Sequence, residues 1–183
     1  MALGSSFYDE LDATAGDAAA NSYATVAEAD DYHDGMVSTH NSDWTGATTE
    51  IKEDSLMWAT RLLDQWVTWK GTKADVTFTA GIKDQNLAWP RNDVLGPEGE
   101  AWAATVIPVW LKEATAELAR GLIASDLTKE PTRGINMLKA GDLTIDFDTQ
   151  QAKRTLIKPV LALIYPYGTV NEGTGVSMKI VRV

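Results

Sequence analysis

The feature that most restricts this chain is the stretch from Thr49 to Trp66, where Ile51, Ser55, Ala59, Leu62, Leu63 and Trp66 recur at spacings of 4, 4, 3, 1 and 3. That spacing puts them on one stripe of an α-helix, and a helix with an apolar stripe must bury it against a partner. The chain offers partners of the same kind. Thr25 with Glu28 three residues on is a capping box, which starts a short helix that Gly35 ends. "IPVWLKEA" opens another helix, with Pro108 suited to its first turn. Leu111, Ala114, Leu118, Leu122 and Ile123 form its core face, and it ends near Leu127. Pro159 to Tyr165, closed off by Pro159 and Pro166, predicts a short buried helix. The expected fold is therefore mostly α, a small bundle of three to four helices.

What lies between the helices sets the rest of the organisation. Residues 1–22 are small and polar and predict an extended lead anchored only by Phe7, Tyr8 and Leu11. "MVSTHNSDWTGA" reads as a polar loop holding Trp44. From Val67 to Gly99 no helical period survives, and Gly71, Gly81, Pro90, Gly96 and Pro97 punctuate a long inter-helix loop of roughly 30 residues, where partner contacts are expected. In "INMLKAGDLTIDFD" the turn Ala140-Gly141-Asp142 precedes Leu143, Ile145 and Phe147 alternating with Thr144, Asp146 and Asp148, a β-hairpin over 135–148. The helical domain then covers 23–167. Residues 168–183 form a flexible C-terminal arm, in which a glycine-rich linker (Gly168, Gly173, Gly175) leads to β-prone Val176–Val183. Such a strand either pairs within its own chain or adds to another chain.

Composition removes several function classes. The chain has 183 residues and no cysteine, which rules out disulfides, a thiolate nucleophile and a thiolate metal site. No apolar run approaches the ~20 residues that span a bilayer, and the first residues lack the basic start and apolar middle of a secretory signal. No membrane partner is expected. Net charge is −10 and lies at the front: residues 1–54 carry 12 acids against one base, Lys52, whereas residues 55–183 carry 14 acids against 15 bases. The acidic front is either a solvated lead-in or a surface that meets another copy or repels nucleic acid.

Chemistry-bearing motifs are sparse. There is no glycine-rich phosphate loop, G-x-S-x-G elbow or H-E-x-x-H site. His33 and His40, with Asp31, Asp34 and Asp43 nearby, have metal-ligand types but match no recurring zinc spacing, so they are expected at the surface. The Asp30-Asp31 and Asp146/Asp148 pairs are expected to be solvated. We expect no catalysis, no cofactor and no metal. Of the seven tryptophans, Trp58, Trp66, Trp102 and Trp110 fall on helices or their starts and are expected in the core. Trp44, Trp69 and Trp89 fall in or beside loops, where they cap the core, make a subunit contact or stack on single-stranded bases. "LAWPRNDVLGPE" sets Trp89, Pro90 and Arg91 side by side in a stiff bend. These three are expected to form an anchor against the helical core or a neighbouring subunit, with Arg91 pairing an acidic group.

The segments "ANSYATVAEADDYH", "KEDSLMWATRLLDQ", "LAWPR", "IPVWLKEATAELA" and "LIYPYG", with a glycine-rich tail ending in "VRV", together resemble a family of small tailed-phage proteins. These are similar to the head-tail connector, or adaptor, proteins that dock as a ring under the portal. Many such sequences carry a DnaT-like single-stranded-DNA-binding label. The likeness runs in order along nearly the whole chain and departs from the family in a longer lead and in the loop from Val67 to Lys83. It implies a non-enzymatic structural subunit of a homo-oligomeric ring, dodecameric to match a twelve-fold portal. The implied partners are further copies of the chain, the portal protein and a neck or tail-completion protein, with genomic DNA passing through the lumen without specific binding. The implied location is the virion head-tail junction, after synthesis in the host bacterial cytoplasm. On this resemblance the arm residues Val176, Met178, Lys179, Ile180, Val181, Arg182 and Val183 bind the portal. The alternative is a single-stranded-DNA-binding protein that uses Trp44, Trp69 or Trp89 as stacking platforms.

Overall fold

The computed structural model describes residues 10–74, 85–125, 138–139, 144–145 and 156–171. Its helices are α1 (Val26–Asp34), α2 (Ser38–Thr45), α3 (Thr49–Trp66), α4 (Val109–Ala124) and α5 (Lys158–Ile164). Short strands complete it: β1 (Val67–Trp69), β2 (Thr72–Lys73), β3 (Arg91–Asn92), β4 (Leu138–Lys139), β5 (Thr144–Ile145) and β6 (Gly168–Val170). The chain divides into two units, one combining Met1–Leu127 with Leu156–Asn171, the other Thr128–Thr155 with Glu172–Val183.

In the first unit, α3 and α4 form the central pair, with α5 on α4 and both α1 and α2 against α4. The Thr49–Trp66 helix has the predicted bounds. Ser55, Ala59, Leu62, Leu63 and Trp66 are buried, and Leu56, Met57 and Thr60 widen the face because α3 also meets α1 and β1. Ile51, in the first turn, stays exposed at its edge. The capping box of α1 is formed on both sides: the Glu28 backbone N–H donates to Thr25 Oγ1, and the Thr25 backbone N–H donates to the Glu28 carboxylate. Pro108 is the N-cap of α4 rather than part of its first turn, and extended Ser125 closes the helix.

Three local expectations are corrected. The loop around Trp44 is the helix α2. Only Asn41 and Trp44 of its eight residues are buried, so it carries almost no apolar period to read. The lead is packed from Ala20 to Ser22, where Asn21 donates from Nδ2 to the Glu10 carbonyl and accepts from the Asp12 backbone N–H, both at 2.8 Å. Gly168 begins a strand instead of a linker: β6 pairs antiparallel with β1, Val67 opposite Val170 and Trp69 opposite Gly168. A glycine is required there, since a Cβ at 168 would lie 2.6 Å from a Val67 methyl. Phe7 and Tyr8 lie outside the described residues.

In the second unit the described residues are two strand pieces, β4 and β5, paired antiparallel with Leu138 opposite Ile145 and Lys139 opposite Thr144. This is the pairing expected for the hairpin. Its turn, the remainder of 135–148, and Val176–Val183 lie outside the described residues.

Candidate functional site

Trp89, Pro90 and Arg91 lie where β1, the loop 85–94, the start of α4 and the turn before β6 converge. Trp89 is 1% exposed, with its ring edge-on to Trp69 at 5.9 Å and to Trp110 at 5.3 Å. Trp110 stacks on Tyr167 at 4.0 Å with an 8° interplanar angle, and Trp102 meets Tyr167 edge-on at 6.2 Å. Five aromatic rings from four chain segments thus form one contiguous contact, the arrangement in which ring quadrupoles add to area burial. The Trp89–Pro90 peptide is cis.

Arg91 departs from its expected role. It contacts no carboxylate among the described residues; its guanidinium donates to the carbonyls of Lys70 (2.7 Å), Gly71 (2.7 Å) and Ala88 (3.0 Å). A planar fork with several fixed donors suits carbonyls that a tight turn leaves unpaired. That turn requires Gly71, whose φ is +70° and where a Cβ would lie 2.1 Å from the Asn92 carbonyl oxygen. Gln85 donates to the carbonyls of Leu87 and Pro90, and Lys73 Nζ donates to those of Gln85 and Asn86. The described ends of the long connection, Ala74 and Gln85, are therefore held on one base, with the Ala74 N–H donating to the Pro90 carbonyl at 3.0 Å.

Beneath this base, Asp64 accepts from the Tyr23 hydroxyl and, at 2.9 Å, from the Ala88 N–H. Burial pushes the Asp64 carboxyl above its ordinary value and, with Asp64 beside it, pushes the Tyr23 hydroxyl well up. Sequence reasoning missed Asp64 and Tyr23, which meet across 41 positions, and Gln85, whose acceptors at Leu87 and Pro90 are close in sequence but face it only once the bend at Pro90 has formed.

The other loop tryptophans are also internal. Trp44 is 0% and Trp69 is 7% exposed. Trp44 Nε1 donates to Asp30 at 2.8 Å, and Lys52 reaches the same carboxylate at 2.8 Å while lying over the Trp44 ring. Of the tryptophans assigned to the core, Trp66 and Trp110 are buried, whereas Trp58 and Trp102 are half-buried. Trp58 lines an open surface pocket with Asp54, Met57 and Arg61.

Of the two histidines, His33 departs from the expected surface position, whereas His40 is half-exposed. His33 is 0% exposed, and His40 places Nε2 3.1 Å from the fully buried carboxylate of Glu117. Burial alone would raise the Glu117 carboxyl, but hydrogen bonds from Arg120 and His40 hold it below its ordinary value. No group of three or more metal-ligating side chains occurs among the described residues, and no described helix is long and apolar enough to cross a membrane.

A family model described as "Putative DnaT-like ssDNA binding protein" matches residues 11–183. No curated protein and no solved structure matches the chain. Since the family match covers all but the first ten residues, the chain belongs to this DnaT-like family.

Proposed function

We propose that this chain is a non-enzymatic structural subunit of a tailed-phage head-tail junction, assembling as a homo-oligomeric ring on the portal and joining it to a neck or tail-completion protein. The observation that carries this reading is the burial of Trp44, Trp69 and Trp89 in the chain's own core, which leaves none of these three as a free platform for bases. The acidic front supports it, because a −11 excess over residues 1–54 repels phosphate and suits a lumen through which DNA slides. The clamped base at 70–74 and 85–94 supports it as well: a rigid mount for a long connection is what a subunit needs to present contacts to its neighbours. In this reading Met178 and Ile180 fill pockets on the portal and Lys179 and Arg182 meet its acidic groups.

The test is electron microscopy of the protein incubated with portal particles, which is expected to show a ring of added density on one face of the portal. Portal particles left bare at micromolar protein would sink the reading. Deletion of Ser177–Val183 then separates two roles for the arm. Lost docking with an unchanged melting temperature supports portal binding, whereas a lower melting temperature supports pairing with the hairpin segment of the same unit.

A second reading follows the family's description, single-stranded DNA binding. Trp58, half-buried beside Arg61, is the side chain on the described surface that favours it. It predicts oligonucleotide binding that Trp58→Ala abolishes without unfolding the protein.

A further inference from the structure

Both histidines of the chain lie in one seam, where α1 and α2 pack on α4. The Nε2–H of His33 donates to the Ala116 carbonyl at 3.2 Å, which sets the tautomer, and Nδ1 has no hydrogen-bond partner among the described residues. The same ring lies 4.9 Å from Trp44 and 5.0 Å from Tyr32. The backbone carbonyl of His33 accepts from Asn41 Nδ2 at 2.8 Å, tying α2 to α1. His40 on α2 holds Glu117, and Glu28 near the start of α1 pairs with Lys112.

A neutral imidazole fits this seam and an imidazolium does not. A proton on Nδ1 would place a positive charge among buried rings with no acceptor for the new N–H. The charged and titratable groups around it are Asp30 and Tyr32 on α1, His40 on α2, Lys52 on α3, and Glu117 and Arg120 on α4. Asp30 and Glu117 favour the cation, but each is already paired, Asp30 with Lys52 and Glu117 with Arg120 and His40. Arg120, Lys52 and a protonated His40 oppose it. Burial is the largest influence and pushes the His33 imidazole below its ordinary value.

We propose that this seam is an acid-sensitive latch, in which protonation of buried His33 releases the α1–α2 pair from α4 while α3 and β1 stay packed. The closed form requires neutral His33, so it holds fully above the ordinary histidine value and weakens as pH falls below it. With one extra proton bound in the open form, the opening constant rises by up to about tenfold per pH unit between the ordinary histidine value and the lowered closed-form one, and levels off below that. His40 is not the trigger: it is half-exposed, and its Nε2 already faces the Glu117 carboxylate.

The test combines NMR titration of the two imidazoles with hydrogen exchange of the full chain between pH 7.5 and 5. His33 is expected to titrate below the ordinary histidine value, and exchange over 26–45, corrected for intrinsic rate, to rise by up to about tenfold per unit once below it. Exchange over 56–66 is expected to stay flat. His33→Gln, which keeps an N–H for Ala116, should remove the rise, whereas His40→Ala should leave it in place. The proposal is overturned if His33 titrates at or above the ordinary value, if 26–45 stays flat, or if 26–45 and 56–66 exchange together. Should His33→Gln not fold, the parent titration and His40→Ala still decide.

Discussion

One helix, α4, carries two seams of opposite character. At its start, Trp110 joins Trp69, Trp89 and Tyr167 in a contact made almost wholly of ring area. Two turns on, Ala116, Glu117 and Arg120 meet α1 and α2 through histidines and charges. The aromatic seam joins segments far apart in sequence, and burial of area holds it with little demand on direction. The polar seam is directional, and the protonation states it requires make it sensitive to pH. α4 therefore packs aromatic rings at its start and titratable side chains further along.

Removing Trp89 should break the comparison most sharply. Trp89→Ala is expected to cost about 3–5 kcal/mol, with nearly the same cost at pH 7.5 and pH 5, by denaturant titration. Next is Glu117→Gln, expected to cost about 2–3 kcal/mol at neutral pH because Arg120 and His40 lose their charged partner. The folded Glu117 carboxyl lies below its ordinary value, so its stabilisation is present above that value and disappears as pH falls through the folded one. The gap between parent and variant should close in acid; a constant gap would show that the pairing contributes little. Asp64 has the opposite sign: raised by burial, it lets the folded state take up a proton first, so its contribution grows as pH falls through the folded value.

Arg91→Ala should follow, at about 1.5 kcal/mol, mainly through the part-buried Ala88 carbonyl it leaves unpaired, since water can replace it at the exposed Lys70 and Gly71 carbonyls. Arg91→Lys should recover less than half of that, since an ammonium cannot reproduce the fork. Thr25→Ala is expected to have the smallest effect, about 1 kcal/mol, by removing the α1 cap. Melting curves of the two Arg91 variants and of Thr25→Ala check these, and a Thr25 effect equal to that of Trp89 would remove the distinction between the seams.

The sequence made the helices legible wherever apolar residues recur on one face. The α3 bounds, the α1 capping box and the short α5 helix all come from that period or from proline and glycine punctuation. α2 was not legible, because it buries only Asn41 and Trp44 and has no side-chain cap. The β1–β6 pairing was not legible either: three-residue strands a hundred positions apart leave no local signal, and Gly168 reads as linker until its approach to Val67 is known. At the candidate site, the rigid bend at Trp89–Arg91 could be read from residue types. The partners of Arg91 could not, because carbonyl acceptors exposed by a distant turn have no sequence signature. For the same reason His33 was expected at the surface: a histidine's burial depends on the carbonyl it meets, here Ala116 on another helix.

The loop tryptophans Trp44, Trp69 and Trp89 are buried in the chain's own core, and the role proposed above requires that they do not bind nucleic acid. The most direct measurement is a titration of the full chain with a single-stranded oligonucleotide at physiological salt, followed by gel mobility and by tryptophan fluorescence. The account predicts no saturable shift and no change in fluorescence at micromolar protein. A submicromolar dissociation constant that weakens steeply with added salt would contradict it, since that slope counts phosphate contacts an acidic chain with buried loop tryptophans does not offer.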